Sequence, residues 1–267
     1  MVKRIESRNN PTIKNIMALR EKRERERARL FCFEGVHLLE EFLKAGKVPK
    51  MIFVREDALN KYSELIESAD CEIIEVTESV YEKLTEEKAP QGIFTVAEFL
   101  DNVTFTSDGC KELVTLDGGN AIMLADLQDN GNVGTVIRTA TALDCKVLLC
   151  GRCADVYSSK TVRATMGALF TGDVFVCQST VEAIASLKKG SRRVIAAALN
   201  ESASVLGEFE INDTDVFVVG NEGKGLTEEV IAECGMAAII PMSGKTESLN
   251  AAIASSILLW EAKRGRM

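Results

Sequence analysis

Six short apolar runs recur through the second half of the chain: "AIMLADL" (121–127), "KVLLC" (146–150), "GDVFVC" (172–177), "RRVIAAAL" (192–199), "DVFVVG" (215–220) and "MAAIIP" (236–241). They are apolar at consecutive positions, so both faces of each run need cover. Helix-length patterns at 132–144, 161–170, 180–189, 227–234 and 248–264 separate them. Strands of this kind alternating with helices specify an α/β fold with a mostly parallel sheet covered on both sides. Such sheets seat ligands beyond the carboxyl ends of their strands, which directs attention to the residues following each run.

The first third has a related pattern. From Phe31 to Phe99, "LFCFEG", "KMIFV", "CEIIEV" and "GIFTVAEFL" alternate with "VHLLEEFLKAG", "ALNKYSELIESA" and "SVYEKLTEE", a second and smaller α/β unit. Between them, 101–119 ("DNVTFTSDGCKELVTLDGG") is irregular and rich in turn formers. The expected domains are therefore 1–100, a linker over 101–119, and 120–267. A content of 46% hydrophobic and 27% charged residues is that of a globular protein, and no apolar run is long enough to span a bilayer. The polar opening "MVKRIESRNNPTIKN" lacks the apolar centre of a secretory signal, so a cytoplasmic protein is expected.

Charge is unevenly spread. The net charge is −8, yet residues 1–30 hold ten basic side chains against four acidic ones. A basic arm on an acidic body suits a grip on a phosphate backbone; an exposed helix laced with ion pairs fits the same residues. Eight cysteines lie mostly in apolar stretches and read as reduced core thiols. Cys150 and Cys153 form a C-x-x-C, but with one histidine in the chain and no second close cysteine pair, no metal site is expected. That histidine, His37, falls in an apolar helix pattern and reads as a packed residue.

Three strand ends carry candidate chemistry. After 121–127, "QDNGNVGTVIRTATAL" places Asn132 as a helix cap and Gly134 beneath Arg138, leaving room beside the guanidinium. After 215–220, Gly220, Gly223 and Gly225 surround Glu222, but their spacing is not that of a dinucleotide loop. After 236–241 comes "MSGKTESLN", in which Ser248 is placed to cap the last helix. Its Gly-Lys-Thr imitates a phosphate loop, but the glycine that motif needs five places before Gly244 is Ile239, so a nucleotide hydrolase is not expected. The last helix is small or apolar nearly all round and should be buried against the sheet or a partner subunit.

In this order, N-x-G-x-x-x-R (Asn132, Gly134, Arg138), G-x-E-x-x-G-L (Gly220, Glu222, Gly225, Leu226) and I-P-M-x-G-x-x-x-S-L-N (Ile240 to Asn250) resemble the SpoU (TrmH-like) family of RNA 2′-O-ribose methyltransferases. "YSSKTVRATMGALF" (157–170) is similar to the family's intervening segment, and the N-terminal region is similar to the small RNA substrate-binding domain of its rRNA-directed members. Asn130 stands where relatives often have proline. The resemblance implies a knotted C-terminal domain, a homodimer with the first- and last-motif helices at its interface, and S-adenosylmethionine as methyl donor. It implies catalytic or positioning roles for Arg138, Asn132, Glu222, Ser248 and Asn250. Donor contacts are implied at Leu199, Gly220, Ile240, Met242, Leu249 and Asn250, and RNA contacts at Arg8, Lys14, Arg23, Arg25, Arg27, Lys160 and Arg163. The implied substrate is 23S rRNA. tRNA methylation, or a noncatalytic RNA-binding or ribosome-assembly role on the same fold, stays open.

Overall fold

The computed structural model describes residues 3–199, 203–246 and 248–264. It divides into two compact units, one formed by Met1–Leu100 with Asp155–Phe170, the other by Asp101–Ala154 with Thr171–Met267. In the first, the chain runs β1 (Lys3–Ile5), α1 (Pro11–Ala18), α2 (Lys22–Ala28), β2 (Leu30–Glu34), α3 (Val36–Lys44), β3 (Met51–Arg55), α4 (Glu56–Lys61), α5 (Ser63–Glu67), β4 (Glu72–Val76), α6 (Glu78–Leu84) and β5 (Ile93–Glu98). The sheet order is β1-β4-β3-β5-β2, with β5 antiparallel to both neighbours.

The basic N-terminal region is part of this unit's architecture. β1 pairs in parallel with β4, and α1 buries Ile13 and Ile16 in the core that holds Phe53, Ile74 and Tyr81. In α2, Arg25 is buried. Its guanidinium donates to the carbonyls of Leu19 and Arg20, each at 2.7 Å, and pairs with Asp155. Arg25 is therefore a structural residue rather than an RNA contact, because phosphates cannot reach a charge already enclosed by its partners. Arg25→Ala would leave the largely buried Asp155 carboxylate without its counter-charge, and a loss of about 3–5 kcal/mol is expected in denaturant unfolding. A loss within about 0.5 kcal/mol, typical of surface substitutions, would contradict this placement. His37 also departs from expectation, since it lies exposed in the first turn of α3.

The second unit contains β6 (Val103–Phe105), β7 (Ala121–Ala125), α7 (Asn130–Ala142) and β8 (Lys146–Cys150). After β8 the chain supplies α8 (Ser159–Ala164) to the first unit, then returns for β9 (Val174–Cys177), α9 (Thr180–Lys189), β10 (Val194–Ala197), β11 (Ser204–Val205), β12 (Val216–Val219), α10 (Glu228–Cys234), β13 (Gly235–Ile239) and α11 (Ala251–Lys263). The eight strands lie in the order β11-β13-β10-β12-β7-β8-β9-β6, and their pairings are all parallel. Continuously apolar strands are what such a doubly covered sheet requires; β7 is buried at all five positions.

The units differ from the expected domain limits in two places. Residues 101–119 are not a free linker, because β6 forms a sheet edge and Cys110 and Leu113 enter the second unit's core. Residues 155–170 belong to the first unit. Tyr157 packs 4.7 Å from Phe31, and Phe170 lies 5.2 Å from Phe33 and 4.9 Å from Phe42, ring centroid to ring centroid.

Candidate active site

Helix caps set up the site. Asp129, not Asn132, caps α7: its carboxylate accepts from the Asn132 N–H at 2.7 Å. The Asn132 side chain is thereby left to reach across the sheet edge, where it donates to Glu222 Oε1 at 3.1 Å. Likewise Asn250, not Ser248, caps α11, its Oδ1 accepting from the N–H groups of Ala252 and Ile253. The Asn250 amide donates in turn to Asn132 Oδ1 at 3.0 Å. A relay Asn250–Asn132–Glu222 thus joins three segments separated by 118 and 90 residues in sequence.

Glu222 belongs to the loop after β12, which closes on itself. Gly225 N–H donates to the Asn221 carbonyl, and the Asn221 side chain accepts from Gly223 N–H and donates to the Asp126 carbonyl at 3.0 Å. Gly220 starts this loop with no space for a side chain: a Cβ there would lie 2.3 Å from the Gly225 carbonyl carbon. Glycine is thus required by backbone packed against backbone. Asn221, at the unspecified position between the motif's glycine and glutamate, is the structural residue the sequence reading missed.

Beside this loop, beyond the ends of β10, β12 and β13, lies a cleft of about 580 Å³. Its walls include the apolar Ala197, Val219, Ile239, Ile240 and Leu249, with Leu199 and Met242 at its lining, and its polar groups include Glu222, Ser248 and Asn250. Every position expected to contact a donor is therefore gathered here. Volume, apolar walls and a few convergent polar groups match a site for one small organic ligand. Lys245 and Thr246 are exposed and outside this lining.

Arg138 is elsewhere. It is exposed six residues along α7 from Asn132, roughly 9 Å up the helix and about 120° around it. There it lines a separate groove with Thr135, Ser256 and Trp260. Gly134, expected to leave room for substrate, is instead among the buried residues of α7, facing away from solvent. On α11 Ile253 and Trp260 are about half exposed, whereas Leu258 and Leu259 are fully buried.

The remaining candidates sit in the first unit. Arg8, Lys14, Arg23 and Lys160 are exposed; Arg27 pairs with Glu24, and Arg163 with Glu87. Cys150 is fully buried, and burial pushes the Cys153 thiol up to about 11, so neither is poised as a thiolate. Among the described residues, no group of three His, Cys, Asp or Glu side chains is arranged to hold a metal ion.

A cleft of single-ligand size on the carboxyl edge of a parallel sheet, bordered by a polar relay, defines an α/β protein built to hold a small organic ligand. Comparison fixes which kind. The chain belongs to the SpoU rRNA Methylase family, which matches residues 119–260, and an MRM3-like substrate binding domain matches residues 10–95. It is a methyltransferase. It is 31% identical over 264 residues, 98% of this chain and 100% of the relative, to the 23S rRNA (guanosine(2553)-2′-O)-methyltransferase RlmP of Bacillus subtilis. Among solved structures it resembles the AdoMet-bound rRNA methyltransferase of Sinorhizobium meliloti, with TM-score 0.84 and 30% identity over 100% of this chain and 99% of that one. It also resembles the SpoU methyltransferase AviRb of Streptomyces viridochromogenes, with TM-score 0.80 and 25% identity over 96% and 98%.

Proposed function

We propose that the protein transfers a methyl group from S-adenosylmethionine to a ribose 2′-hydroxyl of 23S rRNA. The observation that carries this reading is the Asn250–Asn132–Glu222 relay bordering a ligand-sized cleft in a chain of this family. When bound, the donor supplies an electrophilic methyl on a sulfonium. Gly220, Ile240 and Leu249 would hold it through backbone groups, with Leu199, Met242 and Asn250 completing the enclosure. The relay fixes Glu222 and Asn250, and with them the approach of the sugar, so little is lost in orienting the partners. Ser248 offers a hydroxyl at the cleft for the same purpose.

As the C–O bond forms and the S–CH3 bond breaks, S-adenosylhomocysteine and the hydroxyl's proton are released, and Arg138 is assigned the developing alkoxide. A guanidinium stabilises an oxyanion by donating hydrogen bonds to it. Because Arg138 does not line its own chain's cleft, this reading calls for a homodimer in which α7 and α11 of two copies meet and each Arg138 serves the other's cleft. Trp260 of α11 beside it and Ile253 on the same helix, both about half exposed, supply an apolar surface for that contact. Family membership also supports a trefoil knot in the second unit, and the rRNA substrates of the relatives support action in the cytoplasm. No described helix is long and apolar enough to cross a membrane.

Calorimetric titration with S-adenosylmethionine is expected to show one site per chain. A noncatalytic RNA-binding role predicts no heat of binding. For the RNA grip, deleting residues 1–30 would remove β1 and α1 from the first unit, so substitution is the cleaner test. Replacing exposed Arg8, Lys14 and Arg23 together by alanine is expected to lower RNA affinity and flatten its salt dependence by about one unit of slope per lost phosphate contact. An unchanged slope would remove these three from the interface.

A further inference from the structure

Among the described residues, the carboxyl edge of the large sheet carries a second cleft besides the donor cleft. The second, about 490 Å³, opens beyond β7, β8 and β9. The two share a wall: Gly220 to Gly223 of the relay loop line the donor cleft, Gly225 lines both, and Leu226 lines the second. One loop thus separates a cavity sized for the donor from a neighbouring one with no assigned occupant.

Two strand-end residues lining this second cleft have left-handed backbone. Asp126, directly after β7, has φ +56°, and Gly151, directly after β8, has φ +70°. A Cβ on Gly151 would stand 2.6 Å from Asp126 Oδ1. That same oxygen accepts from the Arg152 N–H at 2.7 Å. The left-handed Asp126 and the close approach of Gly151 to its carboxylate are held by these contacts. Here they pin the Arg152 backbone and leave its side chain 88% exposed, with its nearest carboxylate contact 3.9 Å away. Gln178, directly after β9, also lines the cleft and is exposed. A cation held by its main chain, an open carboxamide and the second oxygen of Asp126 can together contact a phosphate and both donors and acceptors of a base edge.

We propose that this second cleft seats the base of the nucleotide being methylated. Gln178 and Asp126 read its edge and Arg152 pairs with its phosphate, while its ribose lies over the 220–226 loop. This rests on the function proposed above and adds to it the place of the acceptor. The two carboxylates of the cleft, Asp126 and Glu229, put the phosphate at the Arg152 rim rather than inside.

The test uses the full-length protein and an rRNA fragment it methylates, alongside the same fragment made abasic at the methylated position with the 2′-hydroxyl kept. Wild-type protein is expected to show KM raised about tenfold or more on the abasic RNA, the scale of a lost base contact. Arg152→Ala and Gln178→Ala, both at exposed positions, should raise KM about tenfold on intact RNA, with kcat and donor affinity unchanged. On abasic RNA, Gln178→Ala should cost nothing further, an effect that general loosening of the fold would not give. Equal KM for intact and abasic RNA, or the same Gln178→Ala penalty on both, would overturn the proposal while leaving the methyltransferase reading standing. Failure of the wild-type protein to methylate any RNA would overturn that reading and this one with it.

Discussion

Arg138→Ala is expected to lower kcat on RNA by about 10²–10³-fold, the effect of removing one donor from a developing oxyanion. Affinity for S-adenosylmethionine should be unchanged, because Arg138 is assigned to the sugar oxygen and not to the donor, whose expected contacts line the other chain's cleft. The same separation yields a sharper expectation. If Arg138 works on the partner's cleft, mixing Arg138→Ala with a Glu222→Ala protein should restore activity that neither has alone. Random pairing makes half of the dimers mixed, each with one intact composite site, so recovery to about a quarter of wild-type activity is expected. Each variant alone should stay inactive after the same mixing treatment. Recovery absent despite subunit exchange would place Arg138 outside the reaction or within its own chain's site, and wild-type kcat in Arg138→Ala would remove it altogether.

Gly220→Ala is expected to act on the other half of the reaction. The added methyl would lie 2.3 Å from the Gly225 carbonyl carbon and 2.6 Å from Leu226 N, backbone atoms that cannot rotate away. The loop must shift, carrying Glu222 off Asn132 and reshaping the donor cleft wall. Overpacking of this kind costs about 1–3 kcal/mol, which in donor affinity is roughly a tenfold to hundredfold loss. Calorimetry with S-adenosylmethionine measures it, and circular dichroism checks that the sheet persists. Wild-type affinity in Gly220→Ala would mean that the loop's self-closure does not shape the site.

How much of this was legible beforehand follows from where the determining forces lie. β8 (146–150) and α9 (180–189) were readable to the residue, because burial on both strand faces and helical spacing are local patterns. The caps were not. Asp129, Asn130 and Asn132 stand within one turn and all suit a helix start; the choice is made by Glu222, 90 residues away, which engages the Asn132 side chain. Ser248 and Asn250 pose the same ambiguity, resolved by the hydrogen bond from Asn250 to Asn132. Arg25 was indistinguishable from its neighbours in "REKRERERAR", since its enclosing partners are the Leu19 and Arg20 carbonyls and Asp155, 130 residues on, none of which charge pattern reveals. The membership of 155–170 in the first unit likewise depends on aromatic packing against Phe31, Phe33 and Phe42. The site's chemistry was legible as residue types in order, and its wiring was not.

The central claim is that a methyl group reaches a sugar oxygen. Incubating the protein with radiolabelled S-adenosylmethionine and unmodified 23S rRNA, then digesting the RNA in alkali, tests this directly. Label on a 2′-oxygen blocks cleavage of the adjoining phosphodiester, so the account predicts radioactivity in alkali-resistant dinucleotides. Label released in mononucleotides would place the methyl on a base and contradict it.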